Sequence, residues 1–204
     1  VRGPSMNWST DVISQTQFVY PDNAPALAAG ATYKVTVAAG KRSSDEESMP
    51  GLGFTLLTSD EAQAVREAAA KISALDLTET TKRFLIASLY ATQGLNAEAI
   101  EQLEVLSSKL KEPAVLRSLG DLYLKVGLNR LAEEHYLQAL ELSQNANDVE
   151  GQALAQNALG LIYEVLGNKG EAVQRLQKAM ELYQKLGDVN MVKQIQDQLA
   201  RLKP

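Results

Sequence analysis

The sequence predicts a mainly α-helical protein: an α-α superhelix of about three helical hairpins plus capping helices, preceded by a small antiparallel β portion. Two observations support this fold class. First, most of the prolines and phenylalanines and the only tryptophan precede residue 58, and the rest is rich in good helix formers such as Ala, Leu, Glu and Lys. Second, the segment that begins at Gly94 returns from Gly127 and again from Gly167.

The composition change and the repeat together predict the domain organisation. Residues 1–57 are β-rich and 58–77 form a linking or capping helix. A repeat array follows at 78–187, divided into 78–111, 112–147 and 148–187, and a C-terminal capping helix occupies 188–204.

Composition excludes several functional classes. Apolar content of 45% and charged content of 22% are ordinary for a soluble globular protein. A net charge of -5 disfavours non-specific binding of nucleic acid, which needs a basic surface. No stretch approaches about twenty consecutive apolar residues, so we predict no membrane span. The absence of cysteine excludes disulfides and thiolate metal sites, and it is compatible with a reducing or an oxidising compartment.

The first 57 residues read as short strands. Residues 31–39 place Tyr33, Val35 and Val37 on one face of a strand, alternating with polar side chains. Further candidate strands lie at 16–21 and 53–57, with a weaker one around Trp8. Residues 1–6 also have the look of a cloning remnant.

One piece of this region resembles a known corner. Leu27, Gly30 and Tyr33 match the Leu-x-x-Gly-x-x-Tyr pattern that enters the sixth strand of fibronectin-type-III and other immunoglobulin-like sandwiches. The resemblance implies that the tyrosine hydroxyl bonds back to the backbone. A sandwich needs about seven strands in about a hundred residues, so the resemblance implies a partial sandwich with an exposed edge. A small self-contained β-meander is the alternative.

Eight helices are predicted after residue 57, each of about 14 to 19 residues. Thr58 begins the first as an N-cap, with Glu61 completing a capping box. The later starts fall at Thr78, Asn96, Glu112 or Pro113, Asn129, Asp148, Asn168 and Asp188. The turns between them are short, so we expect neighbouring helices to run antiparallel.

The helical copies align with periods of 33 and 40 residues, which is typical of solenoids. The pattern resembles the tetratricopeptide repeat over about residues 78–187, with a degenerate first copy. The repeat positions assigned to packing are Tyr90, Gly94, Ala99, Leu119, Gly120, Tyr123, Gly127, Ala132, Tyr136, Ala139, Leu159, Gly160, Tyr163, Gly167, Ala172 and Ala179. Small residues permit close helix approach, and large ones fill the space beside them.

Stacked hairpins of this kind curve, and their first helices line the concave side. The predicted inward-facing side chains are Phe84, Ser88, Ala91, Arg117, Asp121, Lys125, Asn157, Leu161 and Glu164. Such a groove takes an extended peptide or a partner helix, and the alternative is that these positions are solvated helix faces. Some family members clamp a C-terminal carboxylate here, but Phe84 and Ser88 stand where the first clamp residues belong.

Nothing in the sequence predicts an enzyme. His135, the single histidine, is expected to point outward from a second helix, and no phosphate loop or dinucleotide fingerprint is present. One histidine and no cysteine make a zinc or iron site improbable, so we expect no metal and no cofactor.

The sequence therefore predicts a non-enzymatic scaffold that binds another protein or a peptide in its groove. The alternative is an assembly subunit that forms a homodimer, or binds a partner, through the exposed β edge. A third reading is the accessory region of an enzyme. The layout resembles bacterial proteins that place such repeats after a sandwich, which favours a periplasmic over a cytoplasmic location.

Overall fold

The computed structural model describes residues 1–12, 19–40, 42–44 and 53–202. The chain divides into two compact units, residues 1–68 and residues 69–204. Within the described part of the chain, no helix is both long enough and apolar enough to cross a membrane.

The described residues of the first unit contain six short strands. They are β1 (Arg2–Gly3), β2 (Met6–Asn7), β3 (Thr32–Lys34), β4 (Ala38–Ala39), β5 (Arg42–Ser43) and β6 (Gly53–Thr55). Four of them form an antiparallel sheet in the order β2-β1-β3-β6, and β4 pairs only with β5.

Tyr33 is the centre of this sheet. Its side chain is only 2% exposed, and its ring stacks on Phe54 of the neighbouring strand at 5.4 Å between centroids. The backbone N–H of Ala28 donates to the Tyr33 hydroxyl at 2.7 Å, and Gly30 between them has a φ of +74°. The hydrogen bond that the corner pattern implied is therefore present, and glycine supplies the left-handed backbone that this turn requires.

One expectation for the β region was wrong. The strand predicted over 31–39 ends at Lys34, and Val37 is 63% exposed instead of inward-facing. The reason is that the chain leaves the sheet for the β4–β5 hairpin, where Val37 exchanges hydrogen bonds with Ser44. Arg2–Gly3, within the segment that could also be a cloning remnant, pairs with both β2 and β3. Residues 16–18 of the strand predicted at 16–21 lie outside the described residues.

Eight helices account for the described residues after 57, as predicted. They are α1 (Ser59–Ser73), α2 (Glu79–Thr92), α3 (Asn96–Lys109), α4 (Pro113–Lys125), α5 (Asn129–Asn145), α6 (Val149–Val165), α7 (Lys169–Leu186) and α8 (Val189–Leu202). From α2 onward each helix packs against the next one along the chain. The hairpins α2–α3, α4–α5 and α6–α7 correspond to the three copies of the repeat.

Most predicted caps function as caps. Thr58 and Glu61 form the capping box, with the Thr58 N–H donating to the Glu61 carboxylate at 2.8 Å. The Asp148 carboxylate accepts from the Gly151 N–H at 2.9 Å. Asn96 and Asn129 are instead the first helical residues, and the cap positions before them are leucines without a side-chain hydrogen bond.

The inside of each hairpin holds the small residues of the repeat against large ones. A Cβ atom at Gly120 would lie 2.6 Å from the Tyr136 ring, and one at Gly160 would lie 2.7 Å from Leu176. Nine of the assigned packing positions are at most 5% exposed, and Gly120 and Gly160 are buried as well; the nine are Ala99, Leu119, Tyr123, Ala132, Tyr136, Ala139, Leu159, Ala172 and Ala179. Tyr90 and Tyr163 are half-buried beside the core.

The turn glycines have a different role from the packing that was assigned to them. Gly94, Gly127 and Gly167 have φ values of +76°, +80° and +77°, and no atom lies within 4 Å of a Cβ built on them. They end the first helix of each copy in the left-handed conformation, which side chains disfavour. Their recurrence reflects backbone conformation rather than close packing.

Candidate functional site

The first helices of the repeats are neighbours. The Lys125 ammonium on α4 donates to the Ala91 carbonyl on α2 at 3.4 Å, and Gln198 on α8 donates to Glu164 on α6 at 2.8 Å. Helices α4 and α6 also contact each other directly. We call the surface formed by these helices the first-helix face, and its members are Phe84, Ser88, Ala91, Ala114, Arg117, Ser118, Asp121, Lys125, Leu154, Asn157, Ala158, Leu161, Glu164 and Val165.

The predicted groove residues all lie on this face and differ in exposure. Ser88, Asp121, Lys125 and Leu161 are exposed, with Leu161 at 38%. Five are half-buried: Phe84, Ala91, Arg117, Asn157 and Glu164. Their role in binding stays a prediction.

A pocket of about 170 Å³ opens between α2, α3 and α4. Its lining includes four of the predicted groove residues: Phe84, Ser88, Ala91 and Asp121. The remaining lining residues are Ala87, Leu103, Ser118 and Leu122, so its walls are largely carbon. Ser118 was not among the sequence candidates, although it lies one turn before Asp121 on the same helix face.

Asp121 is the one ionisable residue that lines this pocket. The Tyr136 hydroxyl on α5 donates a hydrogen bond to its Oδ1 atom. Burial raises the pKa of the Asp121 carboxyl, while the hydrogen bond from Tyr136 and the charge of Arg117 act in the opposite direction. The residue is nevertheless exposed at the pocket, so the partial burial of its carboxyl does not remove its contact with solvent.

Helix α6 presents an apolar stripe on the same face. Leu154, Leu161 and Val165 are 40%, 38% and 65% exposed, and Ala158 lies between them at 9%. Their spacing of four, three and four residues places them in one row. Sequence reasoning selected only Leu161 from this row. The sequence does contain a signal for the full row: once the packing positions of α6 are set aside, its remaining apolar residues recur at helical spacing.

The Arg117 guanidinium is less available to a ligand than its predicted position in the groove suggested. Its Nη1 atom is buried and has no hydrogen-bond partner among the described residues. Asn157 is half-buried on α6. The Lys125 ammonium is exposed but already contacts the Ala91 carbonyl. Of these three side chains, the Lys125 ammonium is therefore the one most accessible to a ligand.

His135 does not simply point outward. Its ring is half-buried and stacks in parallel on the Tyr123 ring, with 5.3 Å between centroids and 5° between planes. The Tyr123 hydroxyl in turn donates to Glu104 at 2.5 Å. Burial lowers the pKa of His135, and the charges of Glu134 and Glu104 oppose that change. The Tyr123 ring across the hairpin therefore determines the environment of His135. The sequence pattern of a single helix does not reveal this contact.

Metal binding finds no obvious place in what the structure describes. No group of three or more His, Cys, Asp or Glu side chains within residues 1–12, 19–40, 42–44 and 53–202 is arranged to hold a metal ion.

Comparison with known families matches residues 112–185 to the tetratricopeptide repeat. The matched segment covers α4 to α7. It contains the glycine, alanine and tyrosine residues of the repeat whose places in the hairpins are described above. Over these residues the chain is similar to the tetratricopeptide repeat. The fold class predicted from the sequence is confirmed.

The chain is similar to several solved structures at low sequence identity. The crystal structure of BtubC (BKLC) from P. vanneervenii is 20% identical, covers 70% of this chain and 72% of its own, and has a TM-score of 0.50. A crystal structure of MamA is 22% identical over 70% and 84%, with a TM-score of 0.49. The pilF structure from Pseudomonas aeruginosa is 17% identical over 71% of each chain, with a TM-score of 0.49. No curated protein sequence matches the chain.

Such identities show the fold alone. Tetratricopeptide repeats form scaffolds for protein–protein interaction, and that general class is the one that the matched segment supports.

Proposed function

We propose that the chain is a non-enzymatic scaffold whose first-helix face binds an apolar segment of another protein. The observation that carries this proposal is the stripe of Leu154, Leu161 and Val165, which leaves large apolar side chains 38% to 65% exposed in one row of α6. Single exposed leucines need no explanation, but an ordered row indicates a contact surface.

The neighbouring first helices support the same surface. The pocket between α2 and α4 lies on the same face of the array, and the hydrogen bonds from Lys125 and Gln198 link α4 to α2 and α8 to α6. A helix or extended segment with spaced apolar side chains is the partner chemistry that such a row accepts. Charged side chains such as Lys125 and Glu164 beside it would orient the partner.

The test compares two charge substitutions at equally exposed leucines. Leu161→Glu alters the stripe on α6, and Leu131→Glu alters α5, where Leu131 is 39% exposed against 38% for Leu161. Each variant is used as bait in lysate of the native host, and partners are quantified by mass spectrometry. Truncating an interface anchor costs about 1 kcal/mol or more, or at least about fivefold in affinity.

We expect Leu161→Glu to lose the partners that wild type and Leu131→Glu both retain. Equal recovery by all three proteins would reject the first-helix face as the binding surface. Circular dichroism melting of both variants checks that each remains folded.

A second candidate, assembly through the β-sheet, has its own supporting observation. The order β2-β1-β3-β6, with antiparallel pairs β1–β2 and β3–β6, is the order that strands C′, C, F and G have in an immunoglobulin-type sandwich. The second sheet of a sandwich has no counterpart among the described strands, and β6 stands at the sheet edge with Phe54 36% exposed. An edge of this kind pairs readily with a strand of another chain or a second copy.

Solution mass separates this candidate from the first. Assembly through the edge predicts a concentration-dependent dimer by light scattering, which Phe54→Lys disrupts and Val19→Lys, at a site 85% exposed, does not. A monomer at every concentration would count against homodimerisation through the edge.

A further inference from the structure

The pocket between α2 and α4 exists because the first repeat is smaller at two positions than the second. Leu103 on α3 corresponds to Tyr136 on α5, and Ala91 on α2 corresponds to Leu124 on α4, each 33 residues earlier. The Tyr136 ring, only 2% exposed, lies against Gly120 and reaches Asp121. The shorter Leu103 leaves the equivalent space in the first hairpin open.

The walls of this pocket offer little hydrogen bonding to a ligand. The Ser88 hydroxyl donates to the Phe84 carbonyl at 2.9 Å, and the Ser118 hydroxyl donates to the Ala114 carbonyl at 3.0 Å, so both protons are engaged within their own helices. The other walls are the side chains of alanine, leucine and phenylalanine. A guest inside the pocket therefore has to be apolar.

Asp121 is the one lining residue whose side chain offers a carboxylate as hydrogen-bond acceptor to a ligand. Its Oδ1 atom accepts from Tyr136, and no side chain of the described residues donates to its Oδ2 atom. Arg117 and Lys125 lie one turn away on the same helix, yet neither forms an ion pair with Asp121 among the described side chains. The Asp121 Oδ2 atom is therefore the acceptor that the pocket lining offers to an incoming cation or N–H donor.

The size of the pocket indicates the apolar group. An apolar cavity of about 150 Å³ accommodates a benzene molecule, and this pocket measures about 170 Å³. Aromatic side chains are also the anchors that protein interfaces use most, since they bury a large area with little conformational entropy.

We propose that this pocket receives an aromatic side chain of the partner segment and that Asp121 binds a positively charged group next to that ring. The inference rests on the proposed binding function of the first-helix face and specifies its partner: a segment in which Phe or Tyr stands beside Lys, Arg or a free amino terminus.

The direct test needs no identified partner. L-Phenylalaninamide carries a phenyl ring and an ammonium group, N-acetyl-L-phenylalaninamide carries the ring without the charge, and L-alaninamide carries the charge without the ring. Each is titrated into the full ¹⁵N-labelled chain at millimolar concentration, the range in which so small a ligand binds. We expect saturable shifts of the amide signals of Ser88, Ala91 and Leu122 with L-phenylalaninamide, and weaker ones with both other compounds.

Matched variants borrow side chains from the other repeats of the chain. Ala91→Leu installs the residue found at Leu124, and Ser88→Leu installs the one found at Leu161, so both fill the pocket with side chains that the repeat tolerates. Ala114→Leu, which copies Leu154, adds the same bulk on the same face outside the pocket. Both pocket variants should abolish the shifts, and the control should preserve them.

Asp121→Asn isolates the charge, because asparagine keeps the volume and an acceptor for Tyr136. It should remove the preference for the charged phenyl compound over the acetylated one and leave binding of the ring intact. Equal shifts with L-alaninamide, or unchanged shifts in Ala91→Leu and Ser88→Leu, would overturn the proposal. If Ala91→Leu and Ser88→Leu retain the lysate partners that Leu161→Glu loses, the assignment of the pocket is wrong, while the binding function of the first-helix face is still supported.

Discussion

Gly120→Ala tests the packing of the middle hairpin most sharply. The added Cβ would lie 2.6 Å from Cε2, 2.7 Å from Cδ2 and 3.0 Å from Cζ of Tyr136, whereas ordinary contact begins near 3.4 Å. The ring would have to move by about 0.8 Å, the difference between 3.4 Å and 2.6 Å. It has little room to do so, because it is 2% exposed and its hydroxyl is bonded to Asp121.

Overpacking of this kind costs about 1–3 kcal/mol. Replacing glycine by alanine inside a helix contributes up to about 1 kcal/mol in the other direction. The matched control is Gly170→Ala on α7, where the nearest atom, Oδ1 of Asn168, lies 4.0 Å from the added Cβ. Gly170→Ala should therefore gain stability, and Gly120→Ala should fall about 1–3 kcal/mol below it in urea unfolding.

Tyr136→Leu should relieve the effect, because the first repeat combines Ala87 with Leu103 at the equivalent positions. The double variant Gly120→Ala/Tyr136→Leu should be more stable than the sum of the single changes by about 0.5–3 kcal/mol. Equal unfolding free energies for Gly120→Ala and Gly170→Ala, or strict additivity in the double variant, would refute the packing.

Three further predictions concern charge and capping. Burial raises the pKa of Asp121, so the folded state loses stability as the pH rises above the ordinary pKa of aspartate. The free energy of unfolding of Asp121→Asn, measured by urea titration, should therefore increase relative to that of wild type between about pH 4 and pH 7. Burial lowers the pKa of His135, so the folded state loses stability as the pH falls. His135→Phe keeps the ring stack on Tyr123, and it should lose less unfolding free energy than wild type between about pH 7.5 and about pH 5.5. Asp148→Ala, which removes the cap on Gly151, should cost about 1 kcal/mol, and an unchanged melting temperature would contradict it.

The helical part was predictable because its pattern recurs. Gly120, Ala132 and Tyr123 each have counterparts one repeat away, so a chance residue at one position does not mislead the alignment. Helix starts followed from cap residues such as Thr58 and Asp148, whose side chains bond within the next turn. Local chemistry determines these features, and local chemistry is readable from sequence.

The pocket and the His135 stack were not predictable in the same way. The pocket arises from a difference between copies, Leu103 in place of Tyr136, which an alignment registers only as degeneracy of the first repeat. The stack joins His135 to Tyr123 across a hairpin, so no periodicity within one helix reveals it. Comparing side-chain volume copy by copy is the signal that could have located the pocket.

The β region was the least predictable part. Its strands are two or three residues long, so the period-2 pattern of 31–39 extended beyond the strand that forms. Only the corner at Tyr33 carried a distinctive pattern, and its predicted hydrogen bond is present.

Site-specific photo-crosslinking tests the central claim most directly, since it reports which face the partner touches. Benzoylphenylalanine is placed at Leu161 on the first-helix face and, in a matched protein, at Leu131 on α5, and both are expressed in the native host. The claim predicts a discrete covalent adduct from position 161 that position 131 does not give. Adducts of the same partner in equal yield from both positions, or from position 131 alone, would contradict it.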